Sequence, residues 1–348
     1  MAAETTTPTG AISADDLASV PDAAVDLLRR SRRVLAIGHE SPDADAFGSA
    51  LGIALAVEWL GGRATPMSSD PVPAMYGFMP HIGRIASQPD PAMDYDLIVV
   101  TDSGEPTRVG RVAREHAELF ARVPILVVDH HRSNSGFGAV NYVDPTAAAA
   151  CEQVALLVAR LGVPFDAFGG ALAGDLMAGL IGDTATFQHS NVTPRTLRVA
   201  STLLAAGAPL SEVARLIYRS KPNEQLRLFG VVLARLESAH DGRLVWASLL
   251  PADLELTGAT AEQSEGIIDL LAQSATAEVA ILFRDQGEHT RISTRTRDGG
   301  VDAIALTSAF GGGGHPRAAG ATVRLPIDEA RRVVLSHAAG LIDALGPR

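Results

Sequence analysis

Short runs of aliphatic and β-branched residues recur along the first half of the chain. They are VLAIGH, closing at His39, DLIVV over 96–100 and PILVV over 124–128. Each is too short for an amphipathic helix. Separated by helical segments, they predict central strands of a mostly parallel sheet buried on both faces. Between the first two runs, FGSALGIALAVEWLGG reads as a small-residue helix stopped by Gly61-Gly62. Residues 1–14 predict a flexible polar tail, and Asp15–Arg33 a surface helical segment. From Ala147 to about Leu236 the pattern is helical, punctuated by Pro145, Gly162-Val163-Pro164, Pro194, Pro209 and Pro222.

At SAHDGRL (238–244) the periodicity changes, and RLVWASLL, AEVAILFRD and HTRISTRT alternate as strands of a second sheet. A helix near 301–309, a GGGGH turn, another strand and a closing helix complete this part. The expected organisation is an α/β domain with flanking helices at 15–222, a connecting helix and linker at 223–239, and a smaller mixed α/β domain at 240–348.

Length and charge sharpen this picture. The 348 residues fit two domains. Twenty-nine Lys+Arg against 40 Asp+Glu give a formal charge of −11, which opposes a long non-specific grip on duplex nucleic acid. A small anionic substrate at a locally positive or metal-bearing site remains compatible. The single cysteine, Cys151, excludes an intramolecular disulfide and a Cys-rich zinc site, and suits a reducing cytoplasm. No signal-peptide pattern opens the chain, and charge, Gly or Pro breaks every apolar stretch before the roughly 18–20 residues of a membrane helix. A soluble, cytoplasmic protein is expected.

The chemistry concentrates at the ends of the predicted strands, where ligands bind in open α/β sheets. His39, Asp43 and Asp45 follow the first strand, Asp102 ends the second, and Asp129, His130 and His131 end the third. A lone histidine or one Asp-x-Asp is ordinarily a turn former or helix cap, but clustered carboxylates with no neighbouring Lys or Arg call for a cation between them. Imidazole and carboxylate together suit Mn²⁺, Mg²⁺ or Zn²⁺. Asp183, after a small-residue helix, supplies a further acid, whereas Asp175 on that helix reads as a surface or pairing residue. His39, Asp43, Asp45, Asp102, His130 and Asp183 exceed what one ion needs, and fit two ions about 3.5–4 Å apart sharing a carboxylate.

The second domain offers a different site. Gly311, Gly312, Gly313 and Gly314, followed by His315, allow close backbone approach to an anion, or else form a flexible turn. No GK[ST] follows, so this is not a Walker A loop. Arg291, Arg295 and Arg297 occupy alternate positions, which a strand would place on one face as a phosphate-binding row or a solvated edge.

In order, HESPDADAFGS (39–49), VVTDSG (99–104), VVDHHRSN (127–134), GDTATF (182–187), STRTR (293–297) and AFGGGGHPRAAG (309–320) resemble the DHH–DHHA1 phosphoesterase superfamily. Within it, they resemble the branch of short-oligoribonucleases and 3′-phosphoadenosine-5′-phosphate phosphatases. The resemblance implies one ion on His39, Asp43 and Asp102, and a second on Asp45, Asp102, His130 and Asp183, with Asp102 bridging. It implies catalytic parts for Asp102, Asp129 and His131, where Asp129 orients an imidazole and His131 faces the substrate phosphate or leaving oxygen. Arg295, Arg297, Gly311–Gly314 and His315 would grip the terminal nucleotide across a cleft between the domains. Two departures stand out. The family's arginine-serine-lysine run is Arg295-Thr296-Arg297 here, and the spacers Glu40-Ser41 and Ala44 differ from the commonest form.

The implied activity is a metal-dependent hydrolase acting by two-metal in-line attack, with Mn²⁺ ahead of Mg²⁺ or Co²⁺. It would release 5′-nucleotides from very short single-stranded RNA and phosphate from adenosine 3′,5′-bisphosphate (pAp). The alternatives are a cyclic di-AMP or pApA phosphodiesterase and a non-catalytic nucleotide sensor. Duplex DNA and membranes are not expected partners. A homodimer through the first domain is, with the apolar helices around 147–207 offering the surface.

Overall fold

The computed structural model describes residues 11–346, which divide into two compact units at Ser220/Lys221. The first unit carries five strands, β1 (Arg33–Ile37), β2 (Arg63–Met67), β3 (Leu97–Thr101), β4 (Ile125–Asp129) and β5 (Val140–Val143). Their order is β2-β1-β3-β4-β5, and every pairing is parallel. Alternate residues feed opposite layers. Val34, Ala36, Leu97 and Val99 pack into one apolar core, while Leu35, Ile37, Ile98 and Val100 pack into the other. Burial on both faces explains why these strands read as unbroken hydrophobic runs.

Among the described residues, nine α-helices accompany this sheet: α1 (Ala14–Ala18), α2 (Asp22–Arg30), α3 (Ala44–Trp59), α4 (Arg111–Glu115), α5 (Ala117–Arg122), α6 (Ala150–Leu161), α7 (Ala171–Thr184), α8 (Pro194–Ala205) and α9 (Leu210–Tyr218). Helices α3 and α7 are small-residue helices with almost every position buried, so neither has a polar face. Their close crossing depends on glycine. A Cβ on Gly48 would lie 2.4 Å from the Asp175 carbonyl oxygen, and one on Gly179 would lie 2.4 Å from Cys151 Sγ.

The second unit holds β6 (Glu237–Ala239), β7 (Leu244–Leu249), β8 (Val279–Asp285), β9 (Thr290–Thr296), β10 (Gly313–His315) and β11 (Ala318–Val323) in the order β10-β11-β9-β8-β7-β6. Only β7 and β8 pair in parallel, so the sheet is mixed. One face packs on α13 (Ala303–Ser308) and α14 (Ile327–Ala344) through Leu306, Ala330, Val334 and Ile342. The other packs on α10 (Asn223–Leu233) and α12 (Ile267–Leu271), with α11 (Pro251–Thr257) against α10.

Several expectations change here. The helix from Asn223 packs within the second unit, where Leu228, Phe229 and Val232 are buried in the core beside Val245 and Leu282. Strands β2 and β5 are additional edge strands. The polar-tail expectation for 1–10 lies outside the described residues. Beyond them, Ile12 donates its N–H to Thr202, and Ser13 caps α1 in a capping box. Among the described residues no helix is long and apolar enough to cross a membrane.

Candidate metal centre

The strand order turns back between β1 and β3, and such a switch point opens a crevice at the carboxyl ends of the strands. His39 lies two residues beyond β1, Asp102 directly follows β3, and His130 and His131 directly follow β4, whose last residue is Asp129. Asp43 is the N-cap of α3, its Oδ1 accepting the N–H groups of Asp45 and Ala46 at 2.9 and 3.1 Å. Asp45 sits in the first turn of α3. Asp183 lies within the last turn of α7 rather than after it.

These side chains converge. His39 Nε2 is 3.3 Å from Asp102 Oδ2 and 4.0 Å from Asp43 Oδ1. His130 Nε2 is 3.3 Å from Asp102 Oδ1 and 3.2 Å from Asp183 Oδ2. Three groups each bring one ligand atom per residue within 4.8 Å of the others: His39/Asp43/Asp102, Asp45/His130/Asp183 and Asp102/His130/His131. Asp102 belongs to two of them and faces both His39 and His130, in the position of a shared carboxylate.

The surroundings fix the orientation of these groups. Both oxygens of Asp45, a fully buried side chain, accept main-chain N–H groups from the start of α6, Ala150 at 2.6 Å and Cys151 at 2.8 Å. Gly179 leaves the room, since a Cβ there would meet Asp45 Oδ1 at 2.6 Å. Asn191 Nδ2 donates to the carbonyls of Ala148 and Asp183, tying the α6 entry to the end of α7. Asp129 is committed elsewhere. Its Oδ1 meets His131 Nδ1 at 2.7 Å, and its Oδ2 accepts from Asn134 Nδ2 at 2.6 Å. Asp102 has φ +53 and Ala185–Phe187 are three consecutive left-handed residues, strain of a kind that concentrates at functional sites.

The sequence pattern did not point to Asn134, Asn191 or the Ala150 and Cys151 amides. The two amides come from main chain 105 and 106 residues away from Asp45. Asn134 alone had a local signal, in the run VVDHHRSN.

Electrostatics point to a cation. Burial opposes the charged forms of His39 and His130, but Asp102 outweighs it and takes them up to about 9 and about 10. Burial likewise opposes ionisation of Asp102, and the two facing imidazoles hold it well below the usual carboxylate range. Asp45 goes the other way, up to about 7, through burial first and then the Asp102 charge. Asp183 rises through burial first, then the charge of Asp45 and after it that of Asp102. Asp102 Oδ1 is buried and makes no hydrogen bond. Mixed imidazole and carboxylate donors, packed this closely with an unsatisfied buried oxygen, fit two divalent ions.

Asp175, expected at the surface or in a pair, is fully buried on α7, with His81 Nδ1 3.5 Å from its Oδ2.

In the second unit, Arg291 and Arg295 lie on one face of β9, while Arg297 falls beyond the strand's end at Thr296. Arg295 Nε donates to Asp269 at 2.8 Å, and Arg297 Nη2 donates to the Ser274 and Ala275 carbonyls. Arg295 and Arg297 line a cavity of about 140 Å³ with Ala272, Ala277, Glu278 and Ala280. The glycine run is not one flexible turn. Gly311 has φ +71, Gly312 and Gly314 press against β11, and Gly313 and His315 lie in β10 on exposed backbone.

Comparisons with known proteins agree with this arrangement. The N-terminal domain of the DHH family matches residues 33–179, and the DHHA1 domain matches residues 251–340. The chain is 36% identical over 299 residues to the bifunctional oligoribonuclease and PAP phosphatase NrnA of Thermus thermophilus, spanning 85% of this chain and 86% of that protein. It is 26% identical over 336 residues to the cyclic-di-AMP phosphodiesterase PdeA of Listeria monocytogenes, spanning 91% of this chain and 49% of that one. An exopolyphosphatase-related protein from Bacteroides fragilis shares the fold, with a TM-score of 0.85 at 22% identity over 94% of this chain and 99% of that one.

Proposed function

The chain belongs to the DHH–DHHA1 superfamily, on the NrnA-like oligoribonuclease and PAP phosphatase branch, and from that premise we propose that it is a metal-dependent phosphoesterase of very short substrates. It releases 5′-nucleotides from oligoribonucleotides of a few residues and phosphate from adenosine 3′,5′-bisphosphate. The observation that carries this reading is the pair of ligand groups, His39/Asp43/Asp102 and Asp45/His130/Asp183, with Asp102 facing a histidine of each.

His39, Asp43 and Asp102 would hold one divalent ion and Asp45, Asp102, His130 and Asp183 a second, Mn²⁺ first among the candidates, and such ions would supply positive charge to the phosphoryl oxygens and an activated water for in-line displacement. The chain's own residues do the rest. Asp102 keeps His39 and His130 turned into the site. His131, fixed through Nδ1 by Asp129, presents Nε2 as the atom that meets the leaving oxygen. In the second unit, Arg295, Arg297, Gly311–Gly314 and His315 take the terminal nucleotide, with phosphate met by arginine and exposed backbone. We place the protein in the cytoplasm as a homodimer.

The match to a cyclic-di-AMP phosphodiesterase over 91% of this chain favours a second reading, in which pApA or cyclic di-AMP is the substrate. One panel separates the readings: the Mn²⁺-loaded protein with pAp, pApA, cyclic di-AMP, a 24-mer RNA and pyrophosphate. Free phosphate from pAp supports the first reading, whereas AMP from pApA with no phosphate from pAp supports the second. Cyclic di-AMP turnover ahead of both supports the second, and binding without product makes the protein a sensor. Asp102→Ala, which unseats both histidines, is expected to lower turnover at least about 10³-fold. Retained turnover with Mn²⁺ overturns the shared-carboxylate assignment.

A further inference from the structure

We propose that Arg291, Arg284 and Arg295 form a phosphate ladder on the second unit's sheet, which holds successive phosphates of a linear single-stranded oligonucleotide laid along β9. The proposal rests on the phosphoesterase reading and narrows its substrate to chains that carry several phosphates.

Strand geometry sets the rungs. Arg291, Ser293 and Arg295 alternate with Ile292 and Thr294 on β9, so all three point to one face. That face looks toward α12, since Arg295 Nε donates to Asp269 Oδ1 of that helix at 2.8 Å. Arg284 joins it from β8, directly opposite Arg291 in the antiparallel register. Its guanidinium is drawn to the middle position, with Nη1 donating to Ser293 Oγ at 2.6 Å and Nε to Ser264 Oγ at 3.2 Å. Cationic groups therefore stand at Arg291, at Ser293 and at Arg295, and same-face positions of a strand recur every ~6.7 Å. Successive phosphates of an extended single strand are spaced alike.

The charge on this face is not balanced. Like charges opposite one another on neighbouring strands repel, and Arg284 faces Arg291 in that way. Burial pushes the Arg284 guanidinium down from its ordinary value; Glu265 opposes this, and Arg291 and Arg295 add to it. Glu265 Oε1 is 3.7 Å from Arg284 Nη2, and the Glu265 side chain is 81% exposed. Arg291, itself exposed, makes no ion pair or hydrogen bond among the described residues. Three arginines thus meet two carboxylates, Glu265 and Asp269, that lie largely in solvent. Such a surplus suits phosphate oxygens.

The sheet beside the ladder leaves room for a chain. On β11, Thr322, Gly320 and Ala318 stand opposite Arg291, Ser293 and Arg295. None of the three is larger than threonine; Thr322 is exposed, and Gly320 and Ala318 are half-buried. Ala321 and Val323 turn to the other face, into the core with α13 and α14. Arginine contacts to phosphate read charge and length rather than base identity.

Binding to the metal-stripped full-length chain tests the ladder without turnover. AMP, pApA and pApApA, with one, two and three phosphates, are titrated into wild type at several salt concentrations. Affinity is expected to rise at each step, and the slope of log K against log[salt] to steepen by about 0.7 per phosphate. In Arg291→Ala, affinity for pApApA falls about 3- to 10-fold and the slope loses about 0.7, with AMP binding within about twofold of wild type. Arg291→Lys restores the slope, because a backbone phosphate needs charge rather than a fork. Arg284→Gln loses a rung in the same way. Arg284 also ties the 3₁₀ turn Glu262–Ser264 to β9, so the variant's Tm is read alongside, and should it unfold, Arg291 alone decides. Equal affinity of wild type for AMP and pApApA overturns the proposal. So does an Arg291→Ala protein whose trimer affinity and slope match wild type, the result a merely solvated strand face would give. If the Mn²⁺-loaded protein hydrolyses no member of the panel, the functional reading fails, and these titrations still decide the ladder.

Discussion

Loading the metal centre must expel protons, and the number follows from the structure. In the metal-free protein at pH 7, His39 and His130 are imidazolium, since Asp102 takes them up to about 9 and about 10 against the opposing effect of burial. Each must release a proton before Nε2 can donate to a metal. Asp45, near 7 through burial and the Asp102 charge, is about half protonated, and Asp183 is also raised. Filling both sites at pH 7 therefore releases about two protons from the imidazoles, and more from Asp43, Asp45 and Asp183, all of which are raised. Calorimetric titration of stripped protein with Mn²⁺ at pH 7, in buffers of low and high ionisation enthalpy, counts them directly. Release of fewer than one proton would falsify the ligand assignment of both histidines.

The same shifts fix the sign of a stability change. A histidine whose folded value is raised contributes stability that is full below its unfolded value near 6.5 and lost as pH rises through the folded value. For His39 and His130 that loss runs from about pH 6.5 to 10. Asp45, raised to about 7, has the same sign, and its contribution is lost between pH 3.8 and 7. Asp102 is held low, so it contributes at every pH above its unfolded value and is neutral in this comparison. Metal-stripped protein is thus less stable at pH 9 than at pH 6, and the stabilisation gained on adding Mn²⁺ grows over that interval.

Two further predictions test the supports of the site. Ala150→Pro removes one of the two amides that hold Asp45 while leaving α6 a residue tolerated at its first position. It should weaken the binding of one of two ions about 10- to 100-fold in a calorimetric titration, the loss of one charge-assisted hydrogen bond, and unchanged two-site binding would show that Asp45 needs no such hold. Asp175, buried with neither oxygen hydrogen-bonded, is pushed up to about 7 by desolvation, so the stability it lends in its neutral form is lost as pH rises from 3.8 to about 7. Urea unfolding should find Asp175→Asn gaining about 2–3 kcal/mol on wild type between pH 5 and pH 8; a constant difference would mean that Asp175 does not titrate in that range.

The ligands at the strand ends were legible because the physics that buries a strand on both faces makes its polar exit conspicuous. VLAIGH, DLIVVTDSG and PILVVDHH each end an apolar run in side chains unsuited to the core. The edge strands were not legible. RATPM of β2 includes a proline, and VNYV of β5 has four residues with a mixed pattern, so neither produces a hydrophobic run. Asn223–Leu233 looked like a connection because a helix's partner is not written in its own periodicity; only the packing of Leu228 and Phe229 assigns it to the second unit. Asp175 faces His81, as a pairing residue would, but its surface reading fails for a related reason. One acid in an apolar helix marks a surface when that helix has a wet face, and α7 has almost none.

The small-residue character of α3 and α7 belongs to the same argument as the acid cluster. Asp45 and Asp183 stand at the end of each helix where it borders the switch point of the sheet. The carboxylates converge only if the helices approach closely enough to forbid a Cβ at Gly48 and Gly179. Close approach excludes water, which raises Asp45 and Asp183, and it leaves main-chain amides of α6 as hydrogen-bond donors to Asp45. Desolvation, like-charge crowding and a backbone grip on one ligand therefore come from one packing decision. Protons on His39 and His130 meet the resulting charge in the metal-free protein, and divalent ions meet it better by reaching several carboxylates at once. The acid excess of the chain thus has a local part that a cation neutralises, and the phosphate of a small substrate approaches a site whose repulsion is far below what the total of −11 suggests.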